Sequence, residues 1–178
     1  MEMRMPAKKN NIILILGENG SGKSLFAEKL AVKKGEKRIY LATMIPQTQE
    51  NQKRIEKHRV QRQGKNFLTL EKSWNIDQID VNEESVVLLE DVSNLLANGI
   101  FIHHEDVEET YRQILSLAQK CKTLIAVNIA GLSEEGYDAE TSAYIKGINQ
   151  LNQWLTNQAE CVYRMKEGVP LICKEEEA

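Results

Sequence analysis

Gly17-Glu-Asn-Gly-Ser-Gly-Lys-Ser24 meets every fixed position of the pattern G-x-x-x-x-G-K-[ST]. Glycines at 17, 20 and 22 free the backbone to turn. The N–H groups along Glu18, Asn19, Gly20, Ser21 and Gly22 then converge on phosphate oxygens, and the N-terminus of a following helix adds positive partial charge. Lys23 is spaced to reach the β- and γ-phosphates, and the Ser24 hydroxyl to ligate Mg²⁺. A strand-turn-helix that needs only glycines has no use for the Lys23-Ser24 pair. A second chemical signal lies at the end of Ser85-Val-Val-Leu-Leu-Glu90, where Glu90 and Asp91 follow a buried strand. An acid at that place holds Mg²⁺ or its water shell, whereas one at the head of the next helix caps it. Glu90 is expected to face the metal and Asp91 the helix.

A third signal is a basic segment. Between Gln47 and Lys65 the cations Lys53, Arg54, Lys57, Arg59, Arg62 and Lys65 outweigh Glu50 and Glu56, a local balance of +4. Only Ile55 and Val60 are apolar there. On an exposed helix Arg54, His58 and Arg62 form one row at i, i+4 and i+8, suited to a polyphosphate. From spacing alone His58 has two readings, a solvated surface residue or an imidazole nucleophile towards phosphorus whose neighbouring arginines neutralise the phosphate under attack. His103 and His104, beside Glu105 and Asp106, read as loop or capping residues rather than metal ligands, and Trp74 and Trp154 as packing residues.

These groups must be held by the elements around them. Short β-branched runs at 11–16, 38–43, 66–70, 85–90 and 123–128 read as strands. Between them, helical spacing predicts helices over 24–34, 47–65, 92–100, 106–120 and 139–158. Strands alternating with helices imply parallel pairing with helices on both faces. The last two strands, 161–165 and 169–173 around Glu167-Gly168, imply a terminal antiparallel hairpin at the sheet edge. The expected fold class is α/β, as one domain over 1–178 with 1–10 and 175–178 flexible. At 178 residues the chain can bury about 70% of its unfolded surface.

A composition of 42% hydrophobic and 28% charged residues excludes a disordered or low-complexity chain. The longest apolar run, Ile12 to Leu16, excludes a membrane-spanning segment, and the absence of a signal-peptide pattern predicts a cytoplasmic location. A net charge of -3 gives no global reason to bind nucleic acid. Cys121, Cys161 and Cys173 lack C-x-x-C spacing and read as small core residues in a reducing compartment.

Taken together, the loop, Tyr40-Leu-Ala-Thr43, Arg54-Ile55-x-x-His58-Arg59-x-x-Arg62, Leu88-Leu-Glu90 and Asn152-Gln153-x-Leu155 resemble the bifunctional adenosylcobinamide kinase / adenosylcobinamide-phosphate guanylyltransferase family. The resemblance runs from about Ile12 to Lys174. It implies a RecA-like P-loop fold, a homotrimer and a nucleotide site shared with a neighbouring subunit. ATP or GTP would be the phosphoryl donor, a corrinoid the acceptor, and His58 the guanylylated histidine. Lys23, Ser24 and Glu90 match the loop and strand-end residues, and Arg54, Arg59 and Arg62 fall in the most specific block. The chain differs from the family pattern at Glu18 and Gly20, in Asn128-Ile129-Ala130-Gly131, and in Lys146-Gly147-Ile148-Asn149-Gln150. These differences motivate an alternative: a P-loop paralogue that binds GTP or ATP as a regulator or phosphorylates another small molecule.

Overall fold

A computed structural model describes residues 11–175. Alternation decides where each strand points. In β1 (Ile12–Gly17), Ile12, Leu14 and Leu16 face one core layer while Ile13 and Ile15 face the other. Both faces of this strand are covered, so the run is apolar throughout. The same division holds in β4 (Ser85–Glu90), where Val87 and Leu89 oppose Val86 and Leu88. With β2 (Lys37–Ala42), β3 (Phe67–Glu71), β5 (Thr123–Ile129), β6 (Cys161–Lys166) and β7 (Val169–Glu175), these build one sheet in the order β3-β2-β4-β5-β1-β6-β7.

Every pairing is parallel except β6 with β7. The terminal hairpin therefore adds one parallel strand beside β1 and one antiparallel edge strand, not two antiparallel ones. Its turn takes Glu167 and Gly168 at φ 50 and 80, the left-handed pair that a tight two-residue hairpin requires. Glu175, expected in a flexible tail, is the last residue of β7. The expectations for 1–10 and 176–178 lie outside the described residues.

The crossovers carry helices α1 (Lys23–Lys34), α2 (Gln49–Arg62), α3 (Val92–Ala97), α4 (Val107–Lys120) and α5 (Ala139–Gln158). Leu95 and Leu96, Ile114, Leu117 and Ala118, and Ile148, Leu151 and Leu155 put α3, α4 and α5 over one face. Ala27 and Ala31 of α1 cover the other. The helix expected over 92–100 stops at Ala97 and continues as a π-turn, Asn98–Ile102. There Asn98 donates to the Thr43 and Ser73 carbonyls, both at 2.9 Å, and a Cβ at Gly99 would lie 2.5 Å from the Trp74 ring. Trp74 stacks on His103 with ring centroids 5.3 Å apart, and Trp154 on Tyr111 at 4.2 Å. Of the cysteines only Cys121 is buried; Cys161 is half-buried, and Cys173 is exposed on the edge strand, where six of the seven residues of β7 are exposed.

Helix α2 is three residues shorter at its C-terminal end than its charge pattern suggests, because Gln63 leaves helical geometry and Gly64 takes φ 78. No side chain of α2 enters either hydrophobic core, and Val60 is 53% exposed. Polar contacts dock it instead. Glu28 of α1, with its side chain 0% exposed, accepts a hydrogen bond from Gln61 and pairs with Lys65 at 3.1 Å. Removing one partner of a buried pair strands the other charge, which fixes the expected effect. Lys65→Met should destabilise the fold by on the order of 3 kcal/mol in urea unfolding, and the double variant Glu28→Gln/Lys65→Met should recover most of that loss.

Candidate active site

The registers level the strand ends: Gly17 pairs with Ile129, and Glu90 pairs with both Ala42 and Val127. A crevice outside the carboxyl ends of parallel strands is where such sheets take ligands. Here it is a cleft of about 610 Å³, walled by the Asn19–Ser24 loop on one side and α2 on the other. That volume lies in the range of small-molecule and cofactor sites.

The loop is shaped by close approach. A Cβ at Gly17 would stand 2.4 Å from Ser21 Oγ, and Gly22 sits at φ 94 against the hairpin turn, where a Cβ would meet Gly168 Cα at 3.2 Å. The Gly168 N–H donates to the Ser21 carbonyl at 3.0 Å, so the terminal hairpin braces the loop from behind. Gly22 is also the N-cap of α1 and supplies no capping side chain, and no acid stands in the first turn. The unpaired N–H groups of that turn are the donors an anion requires. Lys23 donates to the Glu18 carbonyl at 2.7 Å. Burial pushes its ammonium below the usual lysine range, with Asp91 and Glu90 pulling the other way and Arg54 adding to the fall.

At the end of β4 the two acids part. Glu90 accepts the Ser24 hydroxyl on Oε1 and the Tyr40 hydroxyl at 2.6 Å on Oε2. Asp91 caps α3, accepting from the Asn94 N–H at 2.8 Å and the Ser93 hydroxyl at 2.9 Å. Burial pushes the Asp91 carboxyl up, against the pull of those two donors. Beneath them, Asn128 accepts the Ser93 N–H at 2.9 Å and donates to Asn152 at 2.6 Å, while Asn152 donates to the Ile129 carbonyl at 2.9 Å. The Asn-Gln block of α5 thus ties that helix to the ends of β5 and α3.

Across the cleft, Arg54, His58 and Arg62 all line the wall as one row, with Arg59 beside them. The row is not uniformly exposed. Arg54 and Arg59 are, the latter 3.6 Å from Glu56, but His58 is half-buried and Arg62 is only 7% exposed. The Arg62 guanidinium lies 3.4 Å from the Tyr40 ring centroid and donates to Thr69 at 3.3 Å. Its Nη1 and the Nδ1 of His58 are buried without a hydrogen-bond partner. Donors and acceptors left unpaired beside a cleft are what a polar ligand satisfies.

Of the residues expected here, Asn19 to Ser24, Arg54, His58, Arg59, Arg62 and Glu90 line the cleft, and Gly17 and Glu18 do not. Gly17 closes β1, and Glu18 contributes its carbonyl to the loop. The Glu18 carboxylate turns towards Gly131, whose Cβ would lie 3.5 Å from Oε1. Residues without a sequence signal also belong to the site. Glu28 docks α2, Thr43 donates to the Asp91 carbonyl at 2.8 Å, and Tyr40 bridges the two walls. For Tyr40 and Thr43 the trace in the sequence is the Tyr-Leu-Ala-Thr run, which gives no role.

The pattern of a family described as cobinamide kinase / cobinamide phosphate guanyltransferase matches residues 13–173. Among solved structures, an ATPase domain aligns with a TM-score of 0.55 at 11% identity, over 96% of this chain and 79% of that one. The RadB recombinase aligns at 0.44 and 12% identity, over 87% of this chain and 74% of that one. The fold is RecA-like, α/β with a P-loop. Comparison with curated proteins finds no match.

The division of labour between the two acids has a measurable consequence. Asp91→Ala should lose about 1 kcal/mol of stability through the missing cap, whereas Asp91→Asn, which keeps an acceptor for α3, should lose only a few tenths. Equilibrium unfolding of both variants measures the difference.

Proposed function

The chain belongs to the cobinamide kinase / cobinamide phosphate guanyltransferase family, a transferase family of cobalamin biosynthesis, and we propose that this cleft serves both reactions. The observation that carries this reading is that His58, with its unpartnered Nδ1, lines the same cleft as Lys23 and Ser24.

In the kinase step the loop N–H groups and Lys23 hold the β- and γ-phosphates of ATP or GTP. The aminopropanol hydroxyl of adenosylcobinamide attacks the γ-phosphorus, the bond to the β-bridging oxygen breaks, and the hydroxyl proton is released. Lys23 offsets charge that moves to the leaving diphosphate. The Ser24 hydroxyl and Glu90 carboxylate are adjacent oxygen donors, a hard pair that fits Mg²⁺, and the ion would neutralise phosphate charge there.

In the guanylyl step an imidazole nitrogen of His58 attacks the α-phosphorus of GTP. A P–N bond forms, the bond to the β-phosphate breaks, and pyrophosphate leaves. The phosphate of adenosylcobinamide phosphate then attacks the same phosphorus, restores the free imidazole and takes the GMP group. Arg54, Arg59 and Arg62 neutralise charge on the transferred group. The Glu18 carboxylate, turned out of the cleft lining, adds no acid beside the phosphates. The homotrimer that the resemblance implies belongs to this proposal, although one chain already supplies both walls. Among the described residues no helix is long and apolar enough to cross a membrane.

GTP labelled at the α-phosphate should leave an acid-labile label on the protein, and GTP labelled at the γ-phosphate should leave none. His58→Ala should lose the label while phosphoryl transfer to adenosylcobinamide persists. Lys23→Ala should slow that transfer by on the order of a hundredfold. Equal loss of both activities in a stably folded His58→Ala protein would defeat the assignment. GTP binding with neither label nor turnover would favour the regulator reading, which the departures at Glu18, Gly20, Ile129 and Lys146 motivate.

A further inference from the structure

Tyr40 is 5% exposed and its two ends meet opposite walls of the cleft. Its hydroxyl donates to Glu90 Oε2 at 2.6 Å, while Glu90 Oε1 accepts the Ser24 hydroxyl. A carboxylate bonded at both oxygens has its rotation fixed, so Tyr40 holds one oxygen back and turns the other to Ser24. Burial, then Glu90 itself, pushes the Tyr40 hydroxyl far above the usual phenol range.

The ring serves the other wall. The Arg62 guanidinium rests on it at 3.4 Å from the centroid, with Thr69 taking one further hydrogen bond. Arg62 is 7% exposed, yet its Nη1 has no partner. A guanidinium held by its face keeps its edge N–H groups for a ligand, and a buried cation beside a phosphate-binding loop suits a phosphate oxygen. One helical turn before Arg62 stands His58, on the same row of α2. That helix sends no side chain into either core, so a contact between Arg62 and the sheet weighs heavily in its placement.

We propose that Tyr40 is a positioning residue that joins the two halves of the cleft, fixing the Glu90 carboxylate with its hydroxyl and the phosphate-facing edge of Arg62 with its ring. The inference rests on the cleft binding nucleotide, as argued above, and not on covalent chemistry at His58. It assigns separate effects to the two parts of one side chain. The hydroxyl acts on the Mg²⁺ dependence of nucleotide binding. The ring acts on the metal-independent part, through Arg62.

The test is a fluorescence titration with N-methylanthraniloyl-GTP, run in EDTA and across a Mg²⁺ series, on the wild type, Tyr40→Phe, Tyr40→Leu, Arg62→Gln and Tyr40→Leu/Arg62→Gln. Tyr40→Phe should raise the Mg²⁺ midpoint by on the order of tenfold, since a hydrogen bond to a charged group is lost, and leave affinity in EDTA unchanged. Tyr40→Leu should raise the midpoint similarly and also weaken binding in EDTA by on the order of thirtyfold, the worth of a desolvated cation–π contact. In the double variant, binding in EDTA should be no weaker than in Arg62→Gln alone, because the ring acts through that side chain. Thermal melts identify a variant that has only lost stability, which would weaken binding in EDTA for Tyr40→Phe and Tyr40→Leu alike. An unchanged or lowered midpoint in Tyr40→Phe, or additive losses in the double variant, would overturn the proposal. A wild type that binds no analogue overturns both this inference and the functional reading, whereas binding without label on His58 overturns only the guanylyl step.

Discussion

The carboxylate of Glu90 is the group on which the two walls of the cleft converge. It ends a strand whose neighbours on both sides are parallel and in register, so its position is set by the sheet and not by a loop. One oxygen meets the hydroxyl of Ser24, the last residue of the phosphate loop; the other meets Tyr40, which carries Arg62 of α2 on its ring. A half-buried carboxylate without such donors would lose hydration and gain nothing in return, and here both oxygens have one. The arrangement at once satisfies that charge and gathers the groups that phosphoryl chemistry requires.

The rest of the architecture holds that point still from several directions. The terminal hairpin presses Gly168 against the loop, where a side chain at Gly22 would keep them apart. Asp91, beside Glu90 on the cleft lining, commits its carboxylate to the start of α3, and Asn128 and Asn152 knit the strand end to α3 and α5. These are directional contacts between polar groups. Hydrophobic burial brings the layers together, but burial alone is non-directional and would not aim a carboxylate.

Helix α2 shows a different solution. Its sequence is too polar to be held by a core, and the structure attaches it through Glu28 with Gln61 and Lys65 at one end and through Arg62 on Tyr40 beside them. A helix docked through a few polar contacts can present a dense row of cations to the cleft. An apolar face of ordinary width would use the positions that Arg54, His58 and Arg62 occupy.

By itself the sequence determined the strand and helix alternation, the loop that meets phosphate and the acid pair at the end of a strand, because each is a local pattern whose meaning survives without knowledge of neighbours. The Ser85–Glu90 strand and the Ala139–Gln158 helix keep the bounds their residues predict, since burial periodicity and a capping Asp138 define them locally. For His58, local spacing left two readings open, and a buried unpaired nitrogen beside the cleft is a property of its surroundings. The burial of Arg62 and Glu28, the part of Tyr40, the π-turn at Asn98 and the parallel pairing of β6 were decided by tertiary structure alone. Each depends on which distant segment comes to lie against it: Tyr40 and Glu90 are fifty residues apart, and Glu28 and Lys65 thirty-seven. Periodicity reports which face of an element is covered, and it carries no information on which side chain covers it.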